Sequence, residues 1–534
     1  MNITGSTDLP LSWAVTTLGD LKPARGEGVN PGKQPDVSFE LYSVTNFPVG
    51  KPQMLKGQEI GSNKQSVEPG TVLLCGINPR INRVWIVSKS SGVPQIASTE
   101  WIPFPPLTGI LPEYACYFLQ QNKIRDYLAR RASGVGGSLM RVKAFTCADV
   151  PFPLAPLREQ RRIVEEIEKQ FTRLEAGVGA LKRVQANLKR YRAAVLKAAV
   201  EGRLVPTEAE LARREGRSYE PASELLARMV TQPLLAVSKK AQAGVPVPLK
   251  AKHKGPVAPD TADLPKLPER WVWASLEQLS WAASYGTSEK CDYGFPGPPV
   301  LRIPNIARGR LDFRDMKTAS SESRLDTRNA LAPGDFLVIR TNGSRDLIGR
   351  GALVEQPLQR PHFYASYLIR FRLEGGVKVG RWISTIWDCD QNRKWIEREA
   401  ATSAGQYNIS LSKLNRLPVP LAPEKEQERI IAEVERRFSV IDELEMQVEA
   451  NLKRAERLRQ AILKRAFEGK LVPQDPNDEP ASMLLERIRA ERETVGAPLV
   501  GARKFRDHNP GTARAGTRPA PTARLGRNRP RAGT

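Results

Sequence analysis

The sequence contains itself twice. Pro153-Leu154-Ala155-Pro156 followed by Glu159-Gln160 recurs as Pro420-Leu421-Ala422-Pro423 followed by Glu426-Gln427, an offset of 267, and without a gap the same offset carries Glu201-Gly202-Arg203-Leu204-Val205-Pro206 onto Glu468-Gly469-Lys470-Leu471-Val472-Pro473. Self-similarity at a fixed offset means one structural plan used twice, so a fold that suits one copy must suit the other. The likeness extends outward with small changes of length. Leu9-Pro10, Trp13 and Leu18 answer to Leu267-Pro268, Trp271 and Leu276; Pro69-Gly70-Thr71-Val72-Leu73-Leu74 answers to Pro333-Gly334-Asp335-Phe336-Leu337-Val338; Glu220-Pro221-Ala222-Ser223 answers to Glu479-Pro480-Ala481-Ser482. The order is globular half, long helix, short helix, twice over.

The ungapped segments are expected to be the long helices. Ile163, Ile167, Phe171, Leu174, Val178, Leu181, Val184, Leu188, Tyr191 and Val195 fall in steps of three or four, the seam of a coiled coil, and Ile430, Val434, Phe438, Ile441, Val448, Leu458 and Ile462 keep the same phase in the second copy. Each segment follows a proline and stops at Gly202 or Gly469, with another proline four residues on. Acids crowd the start of each helix (Glu159, Glu165, Glu166; Glu424, Glu426, Glu433) and bases the end (Arg190, Arg192, Lys197; Arg459, Lys464, Arg465). Laid antiparallel, the acidic start of one faces the basic end of the other, so an intramolecular antiparallel pair is predicted. The competing expectation is two separate amphipathic helices, each lying on its own domain.

The halves read as mixed α/β domains. Short β-like runs at Leu41–Val44, Thr71–Leu74 and Val84–Val87 in the first, and Val300–Ile303, Phe336–Ile339 and Leu368–Phe371 in the second, precede a helix around Glu113 to Arg131 and around Arg381 to Glu399. The boundaries drawn are a first domain at 1–152, a long helix at 153–206, a short helical segment at 207–230, a linker at 231–266, a second domain at 267–418, a second long helix at 419–473, a short segment at 474–495 and a disordered basic tail at 496–534.

The net charge is +24, and a polyanion is the expected partner, nucleic acid foremost. Arg503 to Thr534 holds nine Arg/Lys and one acid, and discounting that net +8 still leaves +16 on the body. Arginine offers a fork to guanine, and asparagine a donor and an acceptor to adenine. Loop residues of those types are therefore the candidates for reading base edges: Asn78, Arg80, Asn82, Arg83, Arg130, Arg131, Arg141 and Lys143 in the first half, and Arg340, Asn342, Ser344, Arg345, Arg350, Asn392, Arg393, Lys394, Gln406 and Asn408 in the second. An exposed loop arginine is more often solvated or on a phosphate than on a base.

Catalytic patterns are missing from the sequence. Of three histidines, His253 falls in the linker and His508 in the tail, while His362 has no repeat counterpart and reads as structural. Gly28 to Gln34 misses the phosphate-loop spacing by one residue and has Gln34 where Ser or Thr would hold magnesium, so a turn is expected. Gly134 to Ser138 reads as a flexible loop. The five cysteines are scattered without C-x-x-C spacing, which suggests reduced, packed thiols and no structural zinc. Met1 to Pro10 lacks the features of a secretory signal and no apolar run is long enough to span a membrane, so a cytoplasmic location is expected.

With its paired Pro-Leu-Ala-Pro…Glu-Gln segments, its Glu-Gly-Arg/Lys-Leu-Val-Pro helix endings, its Leu-Pro-x-x-Trp openings and Pro333-Gly334-Asp335-Phe336-Leu337, the sequence resembles the specificity subunits of type I restriction-modification enzymes, up to about residue 495. The resemblance implies that each half is a target-recognition domain for one part of a split, asymmetric double-stranded DNA target. It implies that the helices bind two methyltransferase subunits and that restriction/translocase subunits join, with S-adenosylmethionine, ATP and magnesium on those partners and no catalysis, cofactor or metal on this chain. A rigid helix pair would then act as a ruler between two readers roughly 34 Å apart. Two other expectations stay open: a specificity subunit of a modification-only or other defence complex, and a basic coiled-coil scaffold without sequence preference.

Overall fold

The structure, a computed structural model, describes residues 9–21, 26–89, 92–134, 140–231, 255–321, 325–403 and 405–494. Most of the expected linker, the basic tail with His508, His253, nearly all of Gly134 to Ser138 and the first eight residues lie outside the described residues. Contacts divide the chain into two units, Met1–Glu168 with Ile462–Thr534, and Lys169–Ala461. Both divisions fall inside long helices, Leu157–Val200 and Glu424–Ala466. At 1.5 Å per residue their 44 and 43 residues run for about 66 and 64 Å.

In the first unit, strand Ala14–Thr17 pairs antiparallel with Pro151–Leu154, the proline-rich segment that leads into the first long helix. Strands Val72–Cys75, Val84–Ile86 and Trp101–Phe104 form a three-stranded sheet beside a five-stranded one, in which Ser38–Tyr42 runs parallel to Gln95–Ser98. Glu159 and Gln160, the repeated Glu-Gln pair, are buried fasteners at the helix start. Gln160 donates to the carbonyls of Ala155 (2.9 Å) and Gly109 (3.0 Å) and accepts the Leu111 N–H (3.0 Å), while Glu159 accepts the Trp13 indole N–H at 2.9 Å. The motif is thus a structural joint, since each polar atom carried into the core finds a partner.

The end of the second long helix closes this unit. Phe467 is buried between Tyr114 and Phe118, with ring centroids 4.9 and 5.3 Å away. Gly469 turns the chain at φ 68°, and a Cβ on it would stand 2.3 Å from Pro10 and 3.6 Å from Trp13. The glycine of one signature therefore exists to let the Leu-Pro-x-x-Trp signature approach. Arg162 on the first long helix then pairs at 2.6 Å with buried Asp478.

The second unit repeats the strand pair, one glutamine bond, the glycine turn and the arginine on a buried acid. Strand Val272–Ser275 pairs with Pro418–Leu421, and Gln427 donates to Ala422 O at 2.7 Å. The end of the first long helix, from Val195 to Val200, enters the same core as Trp271, Phe336, Trp382 and Val419. Gly202, at φ 63°, would put a Cβ 2.5 Å from Pro268. Arg429, the repeat of Arg162, bonds Glu208 at 2.6 Å, and Arg217 holds the same carboxylate at 2.5 Å. Burial raises the Glu208 pKa, but the two guanidiniums outweigh it and leave the carboxyl below its ordinary range.

Within this unit the long helices lie antiparallel. The Arg459 guanidinium stacks 4.0 Å from the Phe171 ring and reaches Glu175 at 3.2 Å; Arg192 stacks 4.5 Å from Phe438 and bonds Asp442. Phe171, Glu175 and Arg192 become Phe438, Asp442 and Arg459 at the 267 offset, so the pair locks through two copies of one trio.

The late helix of each half differs from expectation, being two helices: Pro112–Leu119 and Asn122–Arg131, then Gly376–Ile386 and Asp390–Glu399. Gln121 and Cys389 adopt extended backbone (ψ 139° and 152°) just before the second helix of each pair, a break that hydrophobic periodicity alone does not register.

Candidate nucleic-acid interface

Beyond the core, both halves build the same small three-stranded tip from segments that are far apart in sequence. In the second half Thr341–Asn342 pairs with Gln406–Asn408, which pairs on its other side with Ala401–Ser403. In the first half the same order is drawn by bridges alone, Ile77 to Arg141 and Arg141 to Ser133, with the Asn78 N–H on Met140 O at 2.8 Å. The central residues, Arg141 and Asn408, are 267 apart. Asn78 sits at φ 46°, a left-handed conformation that asparagine tolerates and that turns the loop away from the sheet.

This tip gathers some of the candidates and leaves others behind. Arg131, Arg141 and Lys143 border a hollow of about 410 Å³ that also takes in Tyr127 and Phe145, with Asp149 on its rim. Arg131 stacks 3.8 Å from the Tyr127 ring, and Arg141 forks onto Glu100 with contacts of 2.9 to 3.2 Å. That ion pair is on the surface, where such pairs contribute little, so the guanidinium can leave Glu100 at little cost. Arg80 and Arg130 are exposed nearby in sequence. Asn82 and Arg83 are turned to internal partners, the Leu119 carbonyl (3.3 Å) and Cys75 Sγ (3.7 Å).

In the second half the tip holds Arg340, Asn342, Ser344, Gln406 and Asn408. Asn342 Oδ1 accepts the Ser344 N–H at 2.7 Å, Asn408 Oδ1 accepts from Thr341 Oγ1 at 2.6 Å, and Arg340 lies 4.8 Å from the exposed Tyr285 ring. Both amide acceptors shape the loop. Arg345 and Arg350 pair with Glu397 (3.2 Å) and Asp388 (2.6 Å), and Lys394 with Asp390 (2.6 Å). Asn392 is buried and donates to Ile386 O, while Arg393 reaches Ile348 O at 2.9 Å, its pKa lowered by burial. These two serve the interior of the domain. Sequence reasoning missed the aromatic residues beside the basic ones, Tyr127, Phe145, Tyr285 and Tyr367; for Phe145 the signal available was Ser412 at the 267 offset.

Gly28–Val29 is a strand and Pro31–Lys33 a short 3-10 turn. His362 Nδ1 sits 2.7 Å from the Arg360 carbonyl, its pKa lowered by burial. Cys75, Cys116, Cys147 and Cys389 are buried free thiols and Cys291 is half-buried; burial pushes Cys147 up to about 12 and Cys389 to about 11. Among the described residues no group of three or more His, Cys, Asp or Glu could hold a metal, and no helix is long and apolar enough to cross a membrane.

The chain is a doubled α/β module that carries tips of unlike chemistry on one frame, with a long helix leaving each half. The chain is similar to specificity subunits of type I restriction-modification enzymes. It is 26% identical over 404 residues to the EcoKI specificity subunit of Escherichia coli, covering 74% of this chain and 75% of that one. To the StySPI specificity subunit of Salmonella potsdam it is 25% identical with the same coverage. A solved chain from a type I restriction-modification system shares the fold with a TM-score of 0.56 at 20% identity, over 87% of this chain and 100% of that one. No family model matches the sequence.

Proposed function

We propose that the chain is the DNA-reading specificity subunit of a type I restriction-modification complex. Each target-recognition domain reads one half of a split, asymmetric double-stranded target, and the paired helices carry two methyltransferase subunits and set the spacing between half-targets. Restriction/translocase subunits complete the assembly. The chain supplies recognition and no bond-making step; S-adenosylmethionine, ATP and magnesium belong to the partners, and the complex works in the cytoplasm.

The observation that carries this reading is the pair of equivalent tips, Arg141 with Ser133 and Ile77 in one half and Asn408 with Ala401 and Thr341 in the other, on frames that match joint for joint. A duplicated frame needs no difference at its tips for stability, whereas a reader of unequal half-sites does. The net +24 supplies the non-specific attraction to the duplex on which such reading rests.

The test is to express the chain with its modification subunits and map methylated adenines genome-wide. The expected result is one split motif with two unlike halves and a fixed spacer. Methylation at no split motif would overturn the reading. Methylation without cleavage after the restriction subunit is added would place the chain in a modification-only complex.

A further inference from the structure

Phe145 stands 70% exposed on the short helix Ala144–Cys147, directly after Lys143. Its ring borders the hollow shared with Tyr127, Arg131 and Arg141. Burying a phenyl ring is favourable, and this one is left mostly in water. The frame does not ask for it. At the 267 offset the position is Ser412, whose hydroxyl lies 3.0 Å from that of Ser410 in a helix, Leu411–Asn415, that occupies the same place in the second half. A serine builds this helix as well as a phenylalanine, and the apolar ring is peculiar to the first half.

Resting on the DNA-reading function proposed above, we infer that Phe145 is a specificity-determining residue that packs against the 5-methyl group of a thymine in the first half-site. Basic side chains line the same hollow: Lys143 Nζ is 5.8 Å from the ring centroid, and Arg131 and Arg141 border the hollow with one acid, Asp149. A polyanion drawn to those cations brings its groove to the ring. Of the groups displayed on the floor of a major groove, the thymine methyl is the apolar one that an aromatic side chain can cover. Arg141 beside it offers a fork for an adjoining guanine, so the first half-site is expected to contain at least one A·T pair read by Phe145.

The experiment starts from the split target found by methylation mapping. Each thymine of the first half-site is replaced in turn by deoxyuridine, which removes only the methyl group. The dissociation constant of the assembled methyltransferase complex is then measured for wild type and for Phe145→Ser, the residue of the other repeat. For wild type one replacement weakens binding about fourfold, the factor that one methyl group's burial represents, and Phe145→Ser loses that sensitivity while binding the unmodified target about fourfold more weakly. A first half-site without an A·T pair would overturn the inference, as would equal sensitivity of both proteins to every replacement. So would a Phe145→Ser protein that keeps its DNA affinity but assembles poorly with its methyltransferase, which would make the ring a protein contact. These outcomes leave the DNA-reading function standing; only the lack of any split motif removes both.

Discussion

The two tips are built alike and furnished differently. In the first half the central position is Arg141, forked onto Glu100 beside a phenyl ring and a lysine; in the second it is Asn408, bonded to Thr341 beside Gln406 and Tyr407. Beneath them the joints coincide: a strand pair at the module's two ends, a buried Glu-Gln at the helix start, a left-handed glycine under a proline, and an arginine on a buried acid. Duplication has held the frame and released the tips. What the frame cannot vary therefore reports stability, and under the proposed function what differs between the tips reports recognition.

The largest expected effect breaks the shared frame. Glu208→Gln leaves Arg217 and Arg429 facing a neutral amide, and should destabilise the second unit by ~2–3 kcal/mol. That is less than the 3–5 for a fully buried pair, because the two arginine side chains stay 31% and 32% exposed. The sign with pH follows from the depressed pKa of Glu208: its contribution is present above the unfolded carboxyl value, roughly 4.3, and is lost as pH falls through the lower folded value. Thermal unfolding should therefore separate wild type from variant at pH 7 and bring them together in acid. Asp478→Asn, which strands one arginine rather than two, should cost the first unit less. Equal cost in both would mean that Arg217 adds nothing to the second joint, and a gap that widens in acid would contradict the depressed pKa of Glu208.

Next come the tips themselves. Arg141→Ala should relax base choice at one position of one half-site, with a loss of about 1–3 kcal/mol in discrimination, and Asn408→Ala should do the same in the other half-site only. Binding selection on randomised targets measures both. A change in both half-sites from either variant would mean that the tips do not act separately.

How much of this was legible depended on whether the signal was local. The helices from Leu157 and Glu424 announce themselves because each turn repeats the same apolar and charged pattern, and the 267 offset transfers every conclusion from one to the other. The antiparallel pairing followed from charge polarity and is borne by Arg192 and Arg459. Which helix end closes which half was not legible, although all four motifs were in view. Gly469 meets Pro10 across more than 450 residues, and periodicity carries no information about such a contact. At the site, residue type alone picked out Arg141 and Asn408, which the tip brings to equivalent places, together with Asn392 and Arg393, which the helix Asp390–Glu399 turns inward with Ile396. Arginine and asparagine look the same in a sequence whether they face a groove or a core.

The smallest expected effect sharpens the comparison most. Lys143 holds the N-cap position of helix Ala144–Cys147, and its side chain caps nothing, whereas its repeat partner Ser410 accepts the Lys413 N–H at 3.3 Å. Serine is among the best N-cap residues and lysine is not, so the first half forgoes roughly 0.5–1 kcal/mol of helix stability at this position. Under the proposed function, a cation held there at the expense of the frame serves the DNA. Lys143→Ser should thus raise the unfolding midpoint of the first unit slightly while weakening DNA binding to all sequences alike, and should reduce the slope of log affinity against log salt by about one. If stability and affinity instead fall together, Lys143 belongs to the frame, and the division between held joints and released tips has been drawn one residue too early.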